Sequence, residues 1–180
     1  MKIYIALLRG INVGGKNVLP MKELIAVLEH LGSRNVRTYI QSGNAVFQSD
    51  ESDAARLSKK ISWEIGTRHG FEPDVLLIRL EDFDRAIKQN PFPEAEAEPR
   101  MLHLGFLASA PQDPDLGKLE NLRKESERYH LIGNIFYLHA PEGVGRSKLA
   151  AGAEKLLGVS MTDRNWNTVL KIRELAEDLV

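Results

Sequence analysis

The chain contains no cysteine, which excludes disulfide bonds, thiolate metal ligands and cysteine nucleophiles. It also has no long hydrophobic run. The apolar segment at the N-terminus ends at Arg9, so it is too short for a membrane span or a signal peptide and is more typical of a buried strand. These absences predict a soluble protein of the cytoplasm that makes no contact with a membrane.

An excess of positive charge is missing as well. The 180 residues include 24 Lys and Arg against 25 Asp and Glu, a net charge of −1, so no global field attracts nucleic acid or anionic lipid. Any anion-binding site must therefore be local. The 43% hydrophobic content is that of an ordinary globular protein, and the length allows one domain or two small packed halves.

The sequence contains few groups of residues with the spacing of a metal site or a catalytic site. The five histidines show no paired metal-ligand spacing, so we predict no metal and no cofactor. Ser42 has no adjacent base and lacks the G-x-S-x-G pattern of a nucleophile elbow. The sequence therefore specifies no reaction, and it leaves open whether the protein is an enzyme.

The first half has the pattern of a ferredoxin-like unit. An apolar strand at residues 2–9 precedes a glycine-rich loop and then a helix, which Pro20 begins and Gly32 ends. Residues 36–41 and 44–48 form a predicted hairpin around Ser42-Gly43, and a helix at 52–69 precedes a strand at 74–80. The order βαββαβ is that of the ferredoxin-like fold, so the predicted class is α+β.

A short helix near residues 82–89 leads into an acidic, proline-rich stretch. We predict a first half at 1–90, a linker at 91–100 and an α/β second half at 101–180, which together can count as one compact domain. In the second half the pattern predicts βαββαα, with the last two helices starting near Ser147 and Asp163. Both hairpins carry Gly-Asn at the turn, which favours a diverged duplication.

A P-loop is the first interpretation of the N-terminal loop to test. Gly10 to Lys16 fits G-x-x-x-x-G-K after a strand. However, Asn17 stands where a Ser or Thr hydroxyl must bind Mg²⁺, and the helix begins only at Pro20 instead of directly after the lysine. We therefore reject nucleotide hydrolysis at this loop.

Polar groups nevertheless gather at one edge of the predicted sheet. The first two strands of a ferredoxin-like unit run in the same direction, so the loop after strand one lies beside the hairpin turn. Cations, amides and a hydroxyl in these segments suit a phosphate or carboxylate: Arg9, Asn12, Lys16, Gln41, Ser42 and Asn44. The alternative is that the glycines and asparagines only serve turns that need positive φ.

Two helix starts near the C-terminus add candidates for the same ligand. Ser147 and Lys148 open one helix, and Arg164, Asn165 and Asn167 crowd the predicted first turn of the last helix. The alternative is simple helix capping. We expect Trp166 to pack in the core.

These segments resemble the signature blocks of the bacterial domain of unknown function 1697 family. The resemblance rests on four ordered blocks: Leu7–Asn17, Thr38–Asn44, Glu142-Gly143 with Ser147-Lys148-Leu149, and Thr162 with Arg164–Thr168. It departs from the family pattern at Ala45 and Asp163. The resemblance implies a ferredoxin-like N-terminal half and a compact α/β C-terminal half in an uncharacterised bacterial protein, and it brings no catalytic residues.

Three functions remain open. The first is binding of a phosphorylated or otherwise anionic small molecule at the loop and hairpin. The second is RNA or single-stranded DNA binding, which the near-zero net charge and the absence of RNP-type motifs disfavour. The third is a protein-interaction module, monomeric or homodimeric, that uses a free sheet edge.

Overall fold

The computed structural model describes all 180 residues, which form two compact units. The first unit comprises Met1–Arg85 and Lys171–Val180, and the second comprises Ala86–Leu170. The stretch at 91–100 lies within the second unit and contains a 3-10 helix at Pro93–Ala97. The boundaries expected from the sequence, 1–90, 91–100 and 101–180, remain a prediction about independent domains.

The first unit has the ferredoxin-like order that the sequence predicts. Its elements are β1 (Lys2–Arg9), α1 (Met21–His30), β2 (Arg34–Tyr39), β3 (Asn44–Ser49), α2 (Ala54–His69) and β4 (Asp74–Arg79), and α3 (Leu80–Lys88) follows. The four strands form one antiparallel sheet in the order β2-β3-β1-β4. The mixed helix and strand content and the ferredoxin-like N-terminal half are thereby confirmed.

The second unit repeats this order. Its elements are β5 (Leu102–Leu107), α4 (Leu116–Leu122), β6 (Arg128–Ile132), β7 (Ile135–His139), α5 (Lys148–Leu157) and β8 (Met161–Asn165), and α6 (Trp166–Glu177) starts in this unit. The sheet order is β6-β7-β5-β8, again with antiparallel neighbours. Two sheets with the same connections support an internal duplication.

One strand departs from the sequence-based expectation. The pattern near Asp163 predicts the start of a helix, but β8 runs through this residue and α6 begins at Trp166. Asn165, and not Thr162 or Asp163, caps that helix, because its Oδ1 accepts a hydrogen bond from the Thr168 N–H at 2.9 Å. The second half is therefore βαββαβα and not βαββαα.

The core of the first unit explains why its helices lie on one face of the sheet. Alternate residues of β1 pack under α1 and α2, as the period of two in a strand requires. The members of this cluster are wholly or nearly wholly buried: Tyr4, Ala6, Leu8, Leu24, Leu28, Ala45, Phe47, Leu57, Ile61, Ile65 and Leu77. Asp53 caps α2 by accepting from the Arg56 N–H, and Gly70 ends that helix in the left-handed region.

Hydrogen bonds at the hairpin turns align the two sheets residue by residue. Leu8 N–H donates to Gly43 C=O at 2.8 Å, and Leu107 N–H donates to Asn134 C=O at 2.9 Å. The two Gly-Asn turns are therefore shifted by one residue relative to each other. In this alignment β5 places Gly105 where β1 has Ala6, as the strand registers also show.

Candidate functional site

The glycine-rich loop after β1 is a small, projecting turn. Lys16 N–H donates to Val13 C=O at 3.0 Å, and Gly14 and Gly15 between them have φ of 58° and 72°. Two consecutive positive φ angles are those of a type I′ turn, which glycine adopts without steric cost. The turn presents Lys16 and the adjoining backbone to solvent.

Asn12 fastens this loop to the β2–β3 hairpin. Its Nδ2 donates to Leu19 C=O at 2.9 Å and to Gln41 C=O at 2.8 Å, while its Oδ1 accepts from Leu19 N–H at 2.8 Å. The residue has a φ of 53°, a left-handed conformation that asparagine tolerates better than most residues. The structure thus brings the two polar motifs together, and the amide of Asn12 is used in doing so.

The hairpin turn is packed closely against the end of β1. Gly43 has a φ of 86°, and a Cβ at this position would lie 2.7 Å from both Leu8 Cβ and Ile11 Cδ1. The neighbouring Asn44 is buried and donates from Nδ2 to Tyr39 C=O at 2.9 Å and to Ser42 Oγ at 3.0 Å. Asn44 therefore closes the turn, and it does not point toward an external ligand.

Ile40 carries backbone strain at the same edge. Its φ is 49°, which is an outlier for a β-branched residue, and its side chain is 49% exposed. Such strain concentrates at binding sites and switch regions. Val13 and Val18 in the facing loop are also exposed, so apolar and polar groups share this edge.

The loop and the hairpin at this edge carry positive charge and no carboxylate of their own. Arg9 and Lys16 are exposed, and the sequence has no Asp or Glu from Arg9 to Met21 or from Arg34 to Ser49. The nearest carboxylate along the ladder is that of Asp74, which pairs with Arg9 across β1 and β4. Gln41 and Ser42 add exposed polar side chains. An approaching anion thus meets cations and hydrogen-bond donors.

The C-terminal candidates all lie in the second unit, where the structure gives most of them a local role. Ser147 caps α5, since its Oγ accepts from the Ala150 N–H at 3.0 Å, and Lys148 is the exposed first residue of that helix. Asn165 caps α6, and Asn167 is exposed in its first turn. Whether these residues share a ligand with the N-terminal loop stays a prediction.

Arg164 is partly buried in β8. Its guanidinium donates to Asp163 C=O at 2.8 Å. Burial lowers the pKa of Arg164 to about 10, and the negative charge of Asp163 offsets part of that effect. It remains a cation near neutral pH.

A pair between the buried His103 and the partly exposed Asp163 is the feature of the second unit that the sequence did not reveal. His103 Nδ1 lies 2.7 Å from Asp163 Oδ2, and the two residues are 60 positions apart. No spacing rule connects them. The two residues meet only because β5 pairs with β8. The sequence pattern of β8 predicts the start of a helix instead of a strand.

No group of three or more histidine and acidic side chains is arranged to hold a metal ion. No helix combines the length and the apolar character needed to cross a lipid bilayer.

Comparison with known proteins gives a structural relative and a family. The fold is similar to that of the conserved bacterial protein SP0830 from Streptococcus pneumoniae, with a TM-score of 0.71 and 27% identity over 97% of this chain and 98% of the other. No curated protein matches. The family described as protein of unknown function (DUF1697) matches residues 1–137, which is most of the chain and includes the glycine-rich loop and the hairpin turn. The chain therefore belongs to the DUF1697 family.

Proposed function

We propose that the protein binds a phosphorylated or otherwise anionic small molecule at the edge formed by the glycine-rich loop and the β2–β3 turn. The observation that carries the proposal is the Asn12 clamp, by which we mean the hydrogen bonds of Asn12 to Leu19 and Gln41. This clamp holds the Lys16 turn against the hairpin, and neither segment contains an Asp or Glu. Because the net charge of the chain is −1, attraction of an anion must come from such a local arrangement.

The residues divide into two roles. Asn12 and Asn44 position the backbone, because their amides are engaged within the protein. Arg9 and Lys16 supply the positive charge, while Gln41, Ser42 and the glycine N–H groups supply hydrogen bonds. Backbone amides in such a turn can approach an oxyanion closely since glycine has no side chain.

The three exposed apolar residues favour a second candidate, a contact with a protein partner. Val13, Val18 and Ile40 are 68%, 57% and 49% exposed and flank the same cations. A base-stacking RNA platform has less support, since Tyr4 and Phe47 are fully buried. Action in the cytoplasm is part of the proposal, in keeping with the cysteine-free sequence.

A thermal-shift screen tests the proposal. Nucleotides, sugar phosphates, polyphosphate and RNA oligonucleotides are each added to the protein and to Arg9→Ala and Lys16→Ala. Lys59→Ala serves as the matched control, since Lys59 is exposed on α2 of the same unit. A ligand at 100 times its Kd stabilises by about 2.7 kcal/mol.

The two outcomes are distinct. We expect a phosphorylated compound to raise the melting temperature of the parent and of Lys59→Ala, and to lose this effect in the two loop variants. A screen without any stabilising compound, or a stabilisation that persists in both Arg9→Ala and Lys16→Ala, contradicts the proposal. Either result favours the second candidate, a contact with a protein partner.

A further inference from the structure

The second unit contains a cavity of about 310 Å³ between its sheet and the start of α5. Its walls are mostly apolar, with one carboxylate and one hydroxyl among them. The cavity is lined by Phe136, Leu138, Ala150 and Met161, and by the polar residues Ser147 and Asp163. All belong to the second unit, and none is a residue of the loop and hairpin edge described above.

The carboxylate in this wall is held by a buried histidine. His103 Nδ1 lies 2.7 Å from Asp163 Oδ2, and His103 Nε2 lies 3.0 Å from Arg100 C=O. Both partners of the ring are acceptors, so a protonated His103, which donates from both ring nitrogens, satisfies both of them. Burial alone would lower the pKa of His103, but the hydrogen bond and charge of Asp163, with the Arg100 carbonyl, raise it above its usual value.

The first unit shows that packing does not require this pair. In the alignment of the two sheets, His103 takes the place of Tyr4 and Asp163 takes the place of Leu77. Tyr4 and Leu77 both belong to the apolar core of their unit. Burial of the His103 ring costs desolvation that an apolar side chain avoids, so a purely structural sheet has no need for the exchange.

The helices that cover the two sheets, α2 and α5, can be compared as well. In the first unit α2 lays Leu57, Ile61 and Ile65 on the sheet. In the second unit α5 packs Leu149, Ala153 and Leu157 into the core, and its Ala150 and Ala151 line the cavity. A carboxylate that takes the place of Leu77 thus lies in the wall of a cavity lined by small and apolar side chains, and this combination describes a site for a small molecule.

The hydrogen-bonding groups define the chemistry of the ligand. Asp163 gives one oxygen to His103, and its side chain is 45% exposed, so the other oxygen can accept from a ligand. Ser147 Oγ accepts from Ala150 N–H, which leaves the hydroxyl proton available for an acceptor. A protonated His103 balances the carboxylate, so the pair itself carries no net charge with which to hold an ion.

We propose that this cavity binds a small neutral molecule with an apolar body and a carboxamide-like group, whose N–H donates to Asp163. The apolar body packs against Phe136, Leu138 and Met161. Met161 is flexible enough to adjust to the ligand, because its thioether side chain has several rotatable bonds.

An NMR titration of the ¹⁵N-labelled protein tests this inference with three matched probes: benzamide, benzoate and benzylamine. We expect benzamide to shift the amide signals of residues that line the cavity and to bind at least roughly tenfold more tightly than either charged probe, as the loss of one hydrogen bond to a charged group requires. Equal binding of benzoate, or no shift with benzamide, overturns the inference.

Two substitutions identify the site. Ala150→Leu fills the cavity, and Asp163→Leu restores the residue type that the first unit has at this position. Ala55→Leu, at an exposed position of α2, is the control. We expect benzamide binding to fall roughly tenfold or more in the first two variants and to persist in the control. Undiminished binding in Asp163→Leu, with its fold verified by the NMR spectrum, refutes the assigned role of the carboxylate even if Ala150→Leu fails to fold.

Discussion

At the scale of single residues, Gly43 combines two constraints that only glycine meets. Its φ of 86° lies in the left-handed region, and the space for a Cβ is already occupied by Leu8 and Ile11. We expect Gly43→Ala to lower the free energy of unfolding by about 1–2 kcal/mol through backbone strain and by about a further 1–3 kcal/mol through overpacking. Urea unfolding measures the change.

Gly14→Ala is the matched control for this prediction. Gly14 also has a positive φ, but no other atom lies within 4 Å of the position that a Cβ would take there. We expect only the strain component, about 1–2 kcal/mol. Equal effects of the two substitutions would show that the turn is packed less closely against β1 than the structure indicates.

Ile40 presents the opposite case, because a non-glycine residue occupies the left-handed region where it is disfavoured. Ile40→Asn keeps an exposed side chain and places there a residue that tolerates this conformation. We therefore expect the free energy of unfolding to rise by about 1 kcal/mol. A fall in stability on thermal or urea unfolding would mean that the isoleucine side chain has a packing role that its exposure conceals.

Some features of these residues can be predicted from the sequence, and others cannot. Glycines at the turns follow from ordinary turn chemistry, and the meeting of loop and hairpin follows from the ferredoxin-like order. The Asn12 clamp cannot be predicted in this way. In a sequence, a loop asparagine that binds a ligand cannot be distinguished from one that binds the backbone of its own chain. Only the atomic distances show that its amide is engaged.

At the scale of elements, Asn12 and Asn17 form a natural pair for measuring the clamp between loop and hairpin. Their φ angles are 53° and 50°, so alanine meets similar strain at both positions. Asn12 makes three side-chain hydrogen bonds and Asn17 makes one, to Gly10 C=O. We expect Asn12→Ala to be more destabilising than Asn17→Ala by about 1–3 kcal/mol, at about 0.5–1.5 kcal/mol per additional bond. Similar losses in urea unfolding would refute the clamp.

The strand β8 shows why part of the second unit escapes sequence analysis. Its residues Met161–Asn165 are mostly polar, and Thr-Asp followed by an apolar helix matches a capping signal. The pairing with β5 overrides that local signal, because Asp163 finds a partner in His103 on the neighbouring strand. A long-range contact of this kind leaves no local periodicity.

The His103–Asp163 pair also predicts how stability depends on pH. The pKa of His103 is raised in the folded protein, so protonation stabilises the fold fully below the unfolded value of about 6.5, and this contribution is lost as the pH rises through the folded value. We expect the free energy of unfolding to fall over that window. The double variant His103→Tyr with Asp163→Leu, which reproduces the first unit, should lose this component of the fall, and an unchanged pH profile would contradict the assignment.

At the scale of the whole molecule, two sheets with one topology differ in their surroundings. The first unit keeps an apolar helix-facing side and carries polar loops at its edge. The second unit has a charged pair and a cavity on the corresponding side. Each unit thereby has its own candidate site, while the near-zero net charge keeps both dependent on local chemistry.

A titration of the ¹⁵N-labelled protein with inorganic pyrophosphate, followed by NMR at low and high salt, tests the proposed anion site most directly. We expect amide shifts concentrated in residues 9–18 and 40–44, weakened by salt and by Lys16→Ala but not by Lys59→Ala. Shifts that are absent at low salt, or that appear mainly in α2 or in the second unit, would contradict anion binding at the loop and hairpin edge.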